Sequence, residues 1–593
     1  MHEEEILGKA YDSRLMRRLI AYLRPYKKFV ALAFVLILFQ SALETVFPLL
    51  TKAAIDDYIA VGNMGGLALI AAAFIGLLAL RFAAERVQSL TLQNTGQDIL
   101  YDMRIEVFGH LQRLSPGFYD KNPVGRLITR VITDVDVLNE LFSAGIVSIF
   151  GDVFTLLGIM IAILVLDWEL GLATLSVVPL IGLTTALFRR KARDSYRRVR
   201  IAIARINAFL QEHITGMPVV QLYNRERKSL RKFETINTEH LRANLDSILA
   251  YAWFYPAIEL LGAVAIALVI WYGGGKVIAG TATLGALVAF IQYSQRFFRP
   301  IADMSEKYNI LQSAMASSER LFKLLDTPPA IVSAPNAIRP NRKPAGEIEF
   351  RNVWFAYNDE DWILKDVSFH VSPGESVAIV GHTGAGKTTT TSLLTRFYDI
   401  QKGQILLDGV NIASLDLSYL RSCFAVVLQD VFLFSGTMES NIRLGSPISY
   451  ERVVAAAVDV NLGPFLRTLP AGLNHPVNER GTALSAGQRQ LLAFARALAH
   501  DPQILILDEA TSSVDTETEL QIRKAIERLM ARRTSIIIAH RLSTIQKCNK
   551  IVVMHKGHVR EIGTHQQLLA KRGIYYKLYQ LQYKDQEVAV PGD

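Results

Sequence analysis

The 593-residue sequence holds 64 Lys and Arg against 55 Asp and Glu, for a net charge of +9, and half of its residues are hydrophobic. That length exceeds one globular core, so at least two units are expected: apolar residues crowd into long runs before about residue 300, while the later sequence reads as a water-soluble α/β domain. The densest basic run, from Arg189 and Arg190 through Arg197 to Arg200, directly follows an apolar run, which is the positive-inside pattern of a membrane protein and excludes a nucleic-acid patch. Cys423 and Cys548 are the only cysteines and lack metal-ligand spacing, which excludes a disulfide framework and a zinc site and places the second half in a reducing cytosol.

The first residues carry Glu3, Glu4 and Glu5 and no apolar core, so they read as neither a secretory signal nor a transit peptide. Within residues 1–28, Asp12 and Ser13 are placed to cap a short helix. Leu15, Leu19 and Leu23 share one of its faces, arginines occupy the others, and Pro25 ends it. This amphipathic pattern suits the membrane interface, although surface helices share it.

A spanning helix needs ~20 mostly apolar residues. Residues 29–52, 66–91, 141–166, 170–188, 247–272 and 284–300 qualify as candidate spans. With the N-terminus inside, Asp56, Asp57, Asp167 and Glu169 fall in short outer loops with only Lys52 and Lys276 as cations, which agrees with the positive-inside rule. Residues 93–139 and 189–246 are polar, helix-compatible and too long for turns. They are expected to be helices that run past the bilayer and fold back at residues 115–126 and near Gly216, Met217 and Pro218. The expected division is an interfacial helix at 1–28, a six-helix transmembrane domain at 29–325, a Pro-rich linker at 326–345, an α/β domain at 346–585 and a tail at 586–593. Because that α/β domain carries Gly381, Gly386, Lys387 and Thr388 in the spacing of a phosphate-binding loop, the fold class is an all-α membrane domain fused to an α/β P-loop NTPase.

In the second half, Ile348, Phe350, Val353 and Phe355 alternate as in strands, and residues 376–380 form a buried-strand run. That run leads into Gly381, His382, Thr383, Gly384, Ala385, Gly386, Lys387, Thr388 and Thr389. This is a P-loop between strand and helix: glycines let backbone N–H groups wrap phosphates, Lys387 reaches the β and γ phosphates, and Thr388 offers a hydroxyl to Mg2+. Downstream, Leu484, Ser485, Ala486, Gly487 and Gln488 open a helix, and the apolar strand at 504–507 ends in Asp508 and Glu509. Asp508 is placed to hold Mg2+, and Glu509 to take a proton from attacking water.

With these motifs in this order, residues 346–583 resemble the ATP-binding cassette of ABC transporters, and the whole chain resembles a half-transporter of the exporter type. The resemblance implies that Tyr357 stacks on adenine, that Gln429 links nucleotide and metal to the membrane domain, and that His540 contacts the γ-phosphate. Glu479, Arg480 and Gly481 match the segment before the signature, and Ser512 to Asp515 match the loop after the catalytic acid. Alone, Tyr357 is an ordinary edge aromatic and His540 a capping histidine; the ordered set decides. Phe118 to Asp120, Gly125 to Leu127, and Arg130 with Asp134 resemble the first cytosolic crossing, whose coupling helix docks on a cassette. Residues 211–223 resemble the second.

The resemblance also implies head-to-tail pairing with a second half-transporter, ATP lying between one P-loop and the other chain's Ser485, Gly487 and Gln488. The usual signature has glycine where this chain has Ala486, as in one half of some heterodimers, so a heterodimer is expected ahead of a homodimer. The implied setting is a bacterial plasma (inner) membrane with the N-terminus and cassette in the cytosol, and the implied cargo is amphipathic compounds or lipids. An importer on the same scaffold, or a nonenzymatic channel or regulator, is the alternative. Candidate cargo contacts are Glu259, Asp152 and Gln292, among polar span residues that also include Gln40, Glu44 and Arg81; Glu259 among aromatics suits an amphipathic cation.

Overall fold

The computed structural model describes residues 12–508, 516–531, 533–538 and 542–587. By internal packing the chain divides into two units, Met1–Leu111 with Gly125–Thr327 and Gln112–Val124 with Pro328–Asp593.

The first unit is helical. Asp12 caps Ser13–Tyr22, accepting from the Arg14 N–H at 2.7 Å, and Leu19 on the apolar face is fully buried. Helix Lys27–Ala53 follows, then Met64–Leu111. The latter has 48 residues, about 70 Å at ~1.5 Å per residue, so it far outruns a hydrocarbon layer of ~30 Å. After Val124–Thr129 and Val135–Glu140, helix Ile146–Leu166 carries the third apolar stretch. Val178–Thr215 and Glu226–Leu268 form a long hairpin, interrupted at Gly216 and the short helix Met217–Leu222, where Pro218 fits the first helical turn. Leu284–Leu325 closes the unit.

Among the described residues, five helical segments are long and apolar enough to cross a membrane: Lys27–Ile59, Met64–Leu111, Val124–Leu166, Trp168–Phe188 and Glu226–Ile278. The sixth expected span, 284–300, is helical as well, but Gln292, Ser294, Gln295 and Arg296 dilute its apolar character. Residues 170–188 are not one continuous helix. Trp168–Leu175 stops, Ser176 and Val177 turn, and Val178–Thr215 begins afresh, because Pro179 has no N–H to continue the earlier ladder yet suits a new first turn.

Small residues allow the helices to approach closely. A Cβ on Gly151 would sit 2.9 Å from Ile37 Cγ2, and one on Gly158 would sit 2.8 Å from Thr45 Oγ1, so the glycines of helix Ile146–Leu166 let side chains of Lys27–Ala53 pack directly on its backbone. Ile159, Ile163, Val269, Phe290 and Tyr293 form a buried apolar core beside this contact. At the expected outer ends, Lys276 donates to Asp167 at 2.6 Å and Lys52 pairs with Asp56 at 3.3 Å, so both sparse outer cations have carboxylate partners.

The second unit is an α/β domain. Its described strands are β1 Ile348–Ala356, β2 Trp362–Val371, β3 Ser376–Val380, β4 Lys402–Leu407, β5 Val410–Asn411, β6 Phe424–Val427, β7 Gly436–Thr437, β8 Pro476–Val477, β9 Ile504–Asp508, β10 Thr534–Ile538, β11 Lys550–His555 and β12 His558–Gly563. A six-stranded sheet runs β12-β11-β3-β10-β9-β6, with β12 antiparallel to its neighbour and the other pairs parallel. An antiparallel sheet runs β2-β1-β4-β5. Strands β3, β9 and β10 are buried along their whole length, as covered parallel strands are, and accordingly read as continuous apolar runs. In β1 the alternation slips between Phe350 and Val353, where Asn352 adopts a positive φ of 48° and the register shifts.

Candidate functional site

Strand β3 ends at Val380, and the chain turns through residues 381–386 into helix Lys387–Leu394. The loop needs its glycines. A Cβ on Gly381 would lie 2.3 Å from the Met554 carbonyl oxygen, and Gly386 combines a φ of +99° with a would-be Cβ 2.5 Å from Leu364. Lys387 folds back over this loop, its ammonium donating to the carbonyls of Gly381 at 2.7 Å and His382 at 3.1 Å. Burial pushes the Lys387 pKa below the ordinary lysine value, with the Asp508 carboxylate acting in the opposite sense. A buried cation held over a ring of backbone amides at a helix N-terminus is built to receive polyphosphate.

Thr388 and Asp508 come together from separate elements. The Thr388 hydroxyl, in the first turn of the loop's helix, donates to Asp508 Oδ2 at 3.4 Å, and Asp508 ends β9 with little exposure. Ile538 at the end of β10 pairs in register with Asp508. Gln429 lies exposed two residues beyond β6, the strand on the other side of β9. Glu509, the residues from Ser512 to Asp515, and His540 lie outside the described residues.

Tyr357 follows β1 and is 42% exposed, with its hydroxyl 3.2 Å from that of Thr389. Its ring stands edge-on to Phe355 at 4.8 Å and to Tyr398 at 5.1 Å, which leaves it supported from behind and open toward solvent. His382 and Thr383 are in the loop itself, and Ala385 is buried within it.

Ser485 caps helix Ala486–Ala499 through a reciprocal pair: its Oγ accepts from the Gln488 N–H at 3.2 Å, while Gln488 Oε1 accepts from the Ser485 N–H at 2.9 Å. Ser485 and Ala486 are exposed and Gly487 is buried. The sequence reading assigned Gln488 to a nucleotide; here its side chain serves the cap. Among the described residues no hydrogen bond joins Ser485, Gly487 or Gln488 to residues 381–389.

Residues 30–301 match the ABC transporter transmembrane region family and residues 364–512 match the ABC transporter family. The chain belongs to the ABC transporter family. It is similar to an uncharacterized ABC transporter ATP-binding protein, YknV, of Bacillus subtilis (strain 168), with 40% identity covering 98% of this chain and 96% of the relative. It is 36% identical to an ATP-dependent lipid A-core flippase of Syntrophus aciditrophicus over 97% of this chain and 95% of that one. A probable multidrug resistance ABC transporter ATP-binding/permease protein, YheH, of Bacillus subtilis is 38% identical over 87% of this chain and 77% of its own length. This ABC transporter is therefore a multi-pass membrane protein that binds ATP and couples its hydrolysis to transport, and half-transporters of this exporter kind work as dimers.

Several contacts were not apparent from the sequence. Tyr398 bonds to Asp120, Asp134 pairs with Arg320 and Ser317, and Arg296 joins Glu44 and Arg81. Of the cargo candidates, Asp152 is paired with Lys307 and Gln292 accepts from Thr51 at 3.4 Å. Glu259 is exposed and has no ion pair among the described residues.

Proposed function

We propose that this chain is one half of an ATP-driven exporter or flippase for amphipathic compounds or lipids. The observation that carries the reading is the phosphate cradle of residues 381–388 joined to Asp508 across a hydroxyl, in a chain whose first half forms long apolar helices. The flippase and multidrug names of two relatives support outward movement of amphiphiles.

On this reading Lys387 leaves its two carbonyl partners for the β and γ phosphates, and Tyr357 stacks on adenine. The loop's backbone amides, from Gly381 to Thr389, line the phosphates. Thr388 and Asp508, with Gln429 from the neighbouring strand end, are hard oxygen donors suited to Mg2+, which supplies charge neutralisation at the phosphates when bound. Glu509 accepts the proton of the attacking water and His540 contacts the γ-phosphate.

The exposed Ser485–Ala486 cap, unconnected to this chain's own P-loop by hydrogen bonds, is free to face a nucleotide held by a second half, and Gly487 presents a helix N-terminus there. Ala486 favours a heterodimer, in which the competent site joins this chain's P-loop, Glu509 and His540 to an intact partner signature. The setting is a bacterial inner membrane, with the cassette and N-terminus in the cytosol.

The test is transport by the assembled complex in inverted membrane vesicles. ATP-dependent accumulation of an amphipathic fluorophore, lost in Lys387→Ala, is the expected result. Efflux from the vesicle lumen on ATP addition would instead identify an importer, and ATP-independent flux a channel.

A further inference from the structure

Among the described residues of the helical unit, one charge cluster is unbalanced. Glu44, on Lys27–Ala53, pairs through Oε2 with Arg81 of Met64–Leu111 and through Oε1 with Arg296 of Leu284–Leu325 at 3.4 Å. Arg296 also donates to the Glu44 carbonyl at 3.0 Å and lies 5.8 Å from the centre of the Phe47 ring. Guanidinium groups remain protonated in proteins, so one carboxylate faces two fixed cations and one positive charge is left over. The pair of Asp152 and Lys307 in the same unit is internally balanced.

All three members keep an open side: 22% of the Glu44 side chain, 34% of Arg81 and 29% of Arg296 are accessible. One helical turn before Glu44, and on the same face, the Gln40 side-chain nitrogen is buried without an acceptor. A charge in a spanning segment is costly and faces a bundle interior, a water-filled pathway or a partner. Here two guanidinium groups share one carboxylate and the amide nitrogen of Gln40 has no acceptor, so the group has room for one further anionic oxygen.

We propose that this cluster receives the anionic head, a carboxylate or a phosphate, of an amphiphilic cargo. The assignment rests on the reading of the chain as a transporter of amphiphiles and names the charge of what it carries. Guanidinium forks bind both head groups in two-point fashion, and Phe74, half-buried and packed on the buried Phe47 with rings 5.0 Å apart, gives the adjoining tail an apolar surface. Glu44 has a second use. By neutralising one of the two arginines it leaves a single charge for the cargo to answer, so the head is held without being trapped. A cationic amphiphile meets repulsion at the same place.

Binding to the purified assembled complex in phosphatidylcholine nanodiscs tests this directly, with spin-labelled stearate, spin-labelled phosphatidic acid and a chain-matched trimethylammonium probe. The wild type is expected to bind an anionic probe more tightly than the cationic one; which anionic probe binds tells carboxylate from phosphate. Arg296→Gln removes the excess charge and weakens anionic binding on the order of tenfold, whereas Glu44→Gln raises the charge and strengthens it. Arg81→Gln serves in place of Arg296→Gln if that variant fails to assemble. Both substitutions break an ion pair, so a purely structural cluster would shift binding in the same direction for both; that result, or equal wild-type affinity for the three probes, overturns the proposal. Binding is read without turnover. Opposite shifts in a complex that moves no amphiphile would uphold the site and count against the transport reading instead.

Discussion

The Tyr398 hydroxyl donates a hydrogen bond to the carboxylate of Asp120, a residue 278 positions earlier in the short helix Pro116–Lys121. The segment Gln112–Val124 packs with the cassette, and Gly117 lies so close that a Cβ there would be 3.1 Å from the Tyr398 ring. Tyr398 is also the edge-on support of Tyr357 at 5.1 Å. Burial, reinforced by the Asp120 bond, pushes the Tyr398 pKa up, so the phenol stays neutral and donating throughout the usable pH range.

Tyr398→Phe keeps the ring and removes the bond. Nucleotide affinity should change little, because Tyr357 retains its support, while transport per ATP hydrolysed should fall. A bond of this kind contributes roughly 0.5–1.5 kcal/mol, or more with a charged acceptor. Parallel ATPase and transport assays check this, and equal loss of both rates would show that the bond is only structural.

Lys387 carries a pH prediction. Its pKa is depressed by burial without nucleotide, and polyphosphate favours the charged ammonium. Binding therefore takes up a proton once pH exceeds the depressed value. ATP affinity should begin to fall at a pH below ~10.4, the ordinary lysine value, and the fall should be absent from the already weakened Lys387→Ala variant. Calorimetric titration across alkaline pH measures it.

Cys423 and Cys548 are both free and buried, and burial pushes the Cys423 thiol up to about 11. Neither should react with maleimide near neutral pH in the folded protein, and both should react in denaturant. Mass spectrometry after timed labelling gives the answer.

What the sequence made legible is what is local along the chain. The P-loop is a contiguous run, so the chemistry of Gly381 to Thr388 could be written down before any contact was known, and the long helices followed from their apolar stretches. Contacts between distant segments were not legible. Asp134 pairs with Arg320, 186 positions later in the chain. Glu44 and Arg81 were visible as polar residues in apolar spans, but only packing brings them together and adds Arg296. The break at Ser176 and Val177 was masked because the residues around it are as apolar as a continuous span.

In the proposed mechanism the competent general base is Glu509 of this chain, and the altered signature has a lesser role. Ala486→Gly removes one methyl at an exposed helix start and should leave most turnover intact. Loss of a general base costs ~100-fold to 10,000-fold in rate.

The most direct test is ATPase turnover of the reconstituted native complex carrying Glu509→Gln, measured together with bound nucleotide. The glutamine keeps the shape but cannot accept a proton, so the account predicts a fall of at least ~100-fold with ATP retained in closed dimers. Turnover near the wild-type rate would contradict it and place the competent site outside this chain.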